Sequence, residues 1–574
     1  MTNSIAKLGS LVDGLQRFLL VALNIDAVLG ETSLAKRKKM LQKVVTTGVD
    51  LNSVYDQTLQ RIRGQKGDRS RLGVEVLMWV SHSRRPLLID ELRHALAVEI
   101  QSTDLNPENI RPQDTVLRSC LGLVVVDKEA STVRLIHYTL QEYLRHPGVL
   151  PGAHNALALT CLAYLNYDQV KSLPAVGPPS LQGMPFLEYS SLYWGNHAKE
   201  ELSDGAKSLA LKLLKLYDNH ISATLLFRLA RGSQYRIGAV SLFTGLHCAS
   251  YFGIVEVVKE LIETKGCDIN QGDCLGFTPL VWAAGWGNEG VVRLILARDD
   301  AILDQPGNYG ETPLSQASLH GHEGVVGLLL GRHDFSPNSQ DGAGQRSLWW
   351  ACFTGQEEMV RFLLARDDVN PNEPDRCRRT PLWLASFCGH EGVVRLLLAR
   401  GDVNPNEADN CGQTPLSQAS FRGHDGVVRL LLARDDINPD RPGNYGQTPL
   451  SHAAFCGHHR VVRLLLSRDD VDPNKPDSHG QTPLLRASFY GHEEVVRVLL
   501  ERKDVTPDKP DVYGQTPLSR ASFGGHEGVV RILLAREDVN PGGPDNEGRT
   551  PLHVASMHGH KEIVALLQPR TSDP

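Results

Sequence analysis

The stretch GQTPLSQASFRGHDGVVRLLLARDDINPD, running from Gly412 to Asp440, returns as GQTPLSHAAFCGHHRVVRLLLSRDDVDPN from Gly446 to Asn474. With the threonine of the TPL triplet as anchor, the same text recurs every 34 residues at Thr244, Thr278, Thr312, Arg346, Thr380, Thr414, Thr448, Thr482, Thr516 and Thr550. That makes ten units, from the imperfect TGLHCASYFG at Thr244 through a degenerate QRSLWWACFTG at Gln345. In TPLWLASFCGHEGVVRLLLAR, Thr380 can cap a helix through its hydroxyl, and Pro381 suits the first helical position, where a missing N–H costs little. Leu382 and Ala385 then share a face and Gly389 stops the helix. Val393, Val394, Leu397 and Leu398 form the apolar stripe of a second helix. Alanine stands five residues after the anchor in every unit, from Ala249 to Ala555, as close stacking of neighbours demands. A unit this small cannot bury its own apolar face, so the units are expected to stack as a solenoid.

A period in the low thirties with TPL, then Ala, then Gly-His, resembles the ankyrin repeat, and the resemblance covers somewhat more than half of the chain. The expected fold is mostly α: an ankyrin-repeat solenoid of ten units, preceded by a helical and winged-helix-like region. Composition fits a folded protein: of 574 residues 41% are hydrophobic and 22% charged, with net charge −6, which gives no sign of a nucleic-acid or membrane-surface binder. Ten cysteines are scattered without a CxxC pair, and no Asn-x-Ser/Thr sequon occurs, so a reducing, cytoplasmic setting is expected, with the nucleus left open. The apolar run Phe18–Leu29 is interrupted by Asn24 and Asp26, is shorter than the ~20 residues of a membrane span, and lacks the flanks of a signal peptide.

Two positions drift where their neighbours do not. Eight residues after the anchor stand Phe252, Trp286, His320, Thr354, Cys388, Arg422, Cys456, Tyr490, Gly524 and His558. Three residues before it stand Leu275, Tyr309, Ala343, Cys377, Cys411, Tyr445, His479, Tyr513 and Glu547. The ankyrin resemblance implies that these places lie at the end of the first helix and at the hairpin tip, on the concave side that contacts partners. Tyr309, His320, Arg422, Tyr445, Cys456, His479, Tyr490, Tyr513 and His558 are therefore the expected partner-binding residues. The alternative is simple drift of exposed positions, against which Arg395, Arg429, Arg463 and Arg497 have stayed constant. The uniform ladder Phe353, Phe387, Phe421, Phe455, Phe489 and Phe523 is either a ligand stripe or a filler of the seam between units; we take the seam. The ARDD text is expected to be a solvated outer face with weak ion pairs.

Apparent catalytic motifs dissolve in this register. GWGNEG, Gly285–Gly290, matches GxGxxG, yet it follows the first helix of a repeat rather than a strand. The HEGVV segments at His322, His390 and His526 resemble half of a zinc-protease motif, but Val326, Val394 and Val530 stand where the second histidine belongs. These histidines are expected to bond backbone between units. No catalytic residue, metal or cofactor is expected.

Before the repeats, Ser70–Ile100 predicts a helix, a turn at Pro86 and a second helix from about Asp90. Thr115–Leu144 predicts a short helix, a strand over Leu121–Val126, a turn at Asp127–Ser131, a second strand and a closing helix. Together these make a winged-helix-like unit. With SRRPLLIDEL (Ser83–Leu92), CLGLVVVD (Cys120–Asp127) and IHYTLQEYL (Ile136–Leu144), residues 1–235 resemble the post-ATPase region of fungal NACHT-ankyrin proteins, NLR-like STAND switches. The expected division is a helical remnant at 1–55, a winged-helix-like domain at 56–146, a helical linker at 147–235, the repeats at 236–569 and a tail at 570–574.

In that family a histidine of this signature contacts a nucleotide phosphate, which maps to His137. No GxxxxGK[ST] loop occurs in the chain, so His137 would bind nucleotide only with a core supplied elsewhere, and a structural role is the alternative. Over Arg61–His146 there are 13 Lys/Arg against 11 Asp/Glu, too nearly balanced for a DNA-binding module. The expected function is non-enzymatic protein recognition, as adaptor, decoy or sensor fragment, with association with a NACHT-type ATPase as a further possibility. The second reading is the sensor half of a nucleotide-dependent switch, and the third is a winged-helix DNA regulator.

Overall fold

The computed structural model describes residues 51–174, 183–231, 242–332, 338, 340 and 344–568. Outside them lie residues 1–50, with the Phe18–Leu29 run and most of the expected helical remnant, as well as Ala343 and the 570–574 tail. The chain groups into two compact units, residues 1–279 and 280–574.

In the first unit, helices α1 (Leu51–Arg63) and α2 (Arg69–His82) are followed by strand β1 (Leu87–Leu88) and helix α3 (Ile89–Ala95). Helix α4 (Gln113–Ser119), strands β2 (Val124–Val126) and β3 (Thr132–Leu135) and helix α5 (Tyr138–Arg145) complete a winged helix. The sheet is antiparallel in the order β1-β3-β2, with Leu87 opposite Val133 and Val124 opposite Leu135. The expected strand at Leu121 starts three residues later, because Leu121 (φ 47°) and Gly122 (φ 84°) make a left-handed turn. The two-residue β1 was not anticipated; it is too short to show alternation. Helices α6 (Ala153–Leu165), α7 (Phe186–Glu200), α8 (Asp204–Leu214) and α9 (Ile221–Arg231) follow, around a core that includes Tyr164, Phe186, Tyr189 and Trp194.

The first repeat belongs to this core. Its helices, Gly245–Phe252 and Val255–Glu263, pack on α7 and α8. The Phe252 ring lies 5.3 Å from Trp194, and a Cβ at Gly195 would stand 2.1 Å from it. Phe252, at a drifting position of the series, is thus 3% exposed and packs inside.

In the second unit, paired helices of seven or eight residues repeat to Lys561–Leu567. Thr414 Oγ1 accepts the Ser417 amide at 3.1 Å and Thr380 Oγ1 that of Trp383 at 3.2 Å, the caps expected from TPL. Gly389 ends its helix at φ 82°. The alanine five residues after the anchor has 0% exposure in every unit.

Candidate recognition surface

The histidine of each Gly-His step binds its unit to the one before. His390 Nε2 pairs with the Phe353 carbonyl at 3.1 Å, His424 with Phe387 at 3.1 Å and His492 with Phe455 at 2.9 Å. His322 does the same with Gly285 at 3.0 Å, so the GxGxxG glycine fills the place that sister units give to phenylalanine.

The hairpin before each first helix is locked by its aspartate: Asp409 Oδ1 accepts the amides of Cys411 and Gln413 at 2.9 and 2.8 Å. The tips are joined in series, since the Asn444 amide donates to Cys411, Ser478 to Tyr445, Val512 to His479 and Asn546 to Tyr513, at 2.9–3.1 Å. The backbone of Tyr445, His479 and Tyr513 is therefore held from unit to unit while their side chains stand exposed. Tyr309, Tyr445 and Tyr513 are 61%, 64% and 57% exposed. That coexistence explains why one position can drift inside a tightly repeated text.

Of the nine expected binding residues, Tyr309, His320, Arg422, Tyr445, His479, Tyr490, Tyr513 and His558 are exposed and Cys456 is half-buried. First helices of neighbouring units pack against one another more extensively than second helices do. The phenylalanine ladder is packed between units and also partly exposed. Phe421 and Phe455 stack at 6.5 Å, and Phe489 and Phe523 at 6.1 Å, while Phe353, Phe421 and Phe523 each keep about two-fifths of their surface exposed.

A third variable place was missed: four residues after the anchor stand Trp350, Leu384, Gln418, His452, Arg486 and Arg520. Arg486 and Arg520 line clefts on this wall, with Arg486 5.6 Å over the Phe455 ring and Arg520 5.2 Å over Phe489. The same comparison of units that exposed the other two positions would have found it. Arg422 lies 4.1 Å over Phe387.

The outer face holds the expected exposed ion pairs and adds a link between units. The ARDD arginines are bridges between units as well as ion pairs: Arg400 holds Asp402 through Nε and Nη2, and its Nη1 donates to the Leu364 carbonyl at 2.9 Å. Arg434, Arg468 and Arg502 repeat the bridge at 3.0 Å.

In the first unit, His137 caps α5: its Nδ1 accepts the Thr139 amide at 3.3 Å and pairs with Thr139 Oγ1 at 2.8 Å. Among the described residues no cluster of metal-ligating side chains occurs, and no helix is long and apolar enough to cross a membrane.

A stack of capped helix pairs joined by locked hairpins, with variable side chains along one wall, defines a repeat scaffold built for recognition. The ankyrin-repeat family model matches residues 246–341, 328–408, 348–442, 402–477, 437–511 and 503–574, more than half of the chain. The chain belongs to the ankyrin-repeat family. Residues 55–153 match the winged helix domain of GPI inositol-deacylase. No curated protein matches the chain.

Proposed function

We propose that this protein is a non-enzymatic recognition scaffold that binds a protein partner on its first-helix wall, while the winged-helix and helical region serves as a regulatory body. The observation that carries the proposal is the exposure of eight side chains at drifting positions, three of which, Tyr445, His479 and Tyr513, sit on hairpin backbone hydrogen-bonded to the next unit. Four tyrosines and one arginine stand in this set, residue types enriched where interfaces are anchored. The resemblance of residues 1–235 to NACHT-ankyrin proteins supports a place in fungal signalling as adaptor, decoy or sensor fragment, acting inside the cell. A second reading, the sensor half of a nucleotide-dependent STAND switch, would need a separate ATPase core, with which the winged helix would associate.

The test exchanges Arg422, Tyr445, Cys456, Tyr490 and Tyr513 for alanine together and measures affinity for a partner recovered by cross-linking. Affinity should fall at least tenfold, about 1.4 kcal/mol, with the melting curve nearly unchanged. Unchanged affinity with a collapsed melting curve would assign these side chains to packing instead.

A further inference from the structure

Two clefts on the first-helix wall, one repeat apart, share a glutamine, an arginine and a phenylalanine, while Val554 stands in the second where Arg520 stands in the first. The first, of about 150 Å³, is lined by Gln481, Arg486, Phe489 and Tyr490 of one unit, with Phe455 from the unit before and Arg520 from the unit after. The second, of about 60 Å³, repeats the glutamine, arginine and phenylalanine as Gln515, Arg520 and Phe523, and adds Arg549 and His558.

Each cleft shows a guanidinium and hides the carboxylate that holds it. Arg486 directs Nε and Nη2 at Asp477 Oδ2, and Arg520 directs Nη2 at Asp511 Oδ2. Both aspartate side chains are 0% exposed, while the arginines keep 13% and 19%. Arg520 Nε has no acceptor and Gln515 Oε1 has no donor. Arginines fixed in this way on a ring and a buried carboxylate are pre-organised to receive a further carboxylate through their free edge. Asp545, the next carboxylate along the row, is tied to Arg549.

Spacing selects the shape of the ligand. Packed helices lie about 8–10 Å apart. A polyproline-II segment advances about 3.1 Å per residue with three residues per turn, so every third side chain falls on one side about 9 Å from the last. We propose that the two clefts form one seat for an extended segment of a partner protein that carries acidic side chains at every third residue. This rests on the assignment of the first-helix wall as the recognition face.

The test uses the full chain and fluorescent peptides of equal composition. One has the sequence Glu-Pro-Ala-Glu-Pro-Ala-Glu; the other places its three glutamates two residues apart. The three-residue spacing should bind at least tenfold tighter, and Arg486→Gln with Arg520→Gln should abolish the difference. Since these changes leave buried aspartates unpaired, a second measurement keeps the chain intact: a photoreactive group on the peptide should cross-link to residues 455–558 of the unaltered protein. Equal affinity for both spacings, or cross-links elsewhere, would overturn the proposal. If the five-alanine variant still loses its native partner in that case, the recognition face stands and only the peptide assignment falls.

Discussion

Gly389 shows how a single residue carries the repeat. Its φ of 82° belongs to the left-handed region, and a Cβ there would stand 2.6 Å from His424 Nδ1, the ring that bonds the Phe387 carbonyl. Gly389→Ala should lower stability by about 1–2 kcal/mol from backbone strain alone, read as a lower urea midpoint of the repeat unit. The histidine's role was legible because Gly-His recurs without a catalytic partner. Asp440 was not legible, since its difference from Asn406 looks conservative. Asn406 donates Nδ2 to the Asp436 carbonyl at 2.7 Å and accepts the Asn438 amide at 2.8 Å. Asp440 keeps only the second kind of bond, to the Asp472 amide, and its Oδ1 has no donor. Burial raises its carboxyl above the usual range, against the opposing Asp472 amide and Lys475. A raised carboxyl binds its proton more tightly in the folded chain, so it costs stability above that pKa and the loss is recovered as pH falls. Asp440→Asn should stabilise the repeats by about 1 kcal/mol at neutral pH, with a smaller gain in acid, as measured by urea unfolding at both pH values.

At the scale of the element, helix pairs were legible because threonine, proline, alanine and glycine occupy positions fixed by capping and close approach. The link between second helices was hidden because one arginine serves two tasks. Arg400→Gln removes both the bridge to Leu364 and the grip on Asp402, whereas Asp402→Asn weakens only an exposed ion pair. The first should cost about 1.5–3 kcal/mol. The second should cost under about 1 kcal/mol, and equal urea midpoints for the two variants would show the bridge to be idle. In the winged helix, β1 was missed because two residues give no periodicity; Leu87 pairs there because Val133 and Thr132 offer an edge.

Across the whole molecule, the sequence period marked ten alike units but did not show that the first is built into the helical core through Phe252. That packing depends on Gly195 and Trp194, which lie far from the repeats in sequence. The same region brings together His82, His154 and His197 from α2, α6 and α7, with His154 Nδ1 and His197 Nδ1 2.9 Å apart. Burial, with His154 next, lowers His82 to about 4 and His197 to about 3, and burial lowers His220 to about 4. A lowered imidazole leaves the unfolded chain to bind protons first, so its stability is present above pH ~6.5 and lost as pH falls toward 4. The second unit holds His452, lowered to about 4, but also Asp440 and Asp508, whose raised carboxyls act in the opposite sense. On acidification from pH 7 to 4.5, hydrogen exchange should show residues 51–279 opening before 280–568; simultaneous opening would deny the histidines this role.

Two of the three variable positions on the first-helix wall were legible, because they change from unit to unit beside neighbours that stay constant. Whether that wall meets a partner is decided by placing a photoreactive amino acid at position 445 or 513, and separately at the exposed outer positions 395 and 463. Cross-links in native extract should form a common adduct from 445 and 513 and none from 395 and 463. An adduct from the outer positions alone would contradict recognition through the first-helix wall.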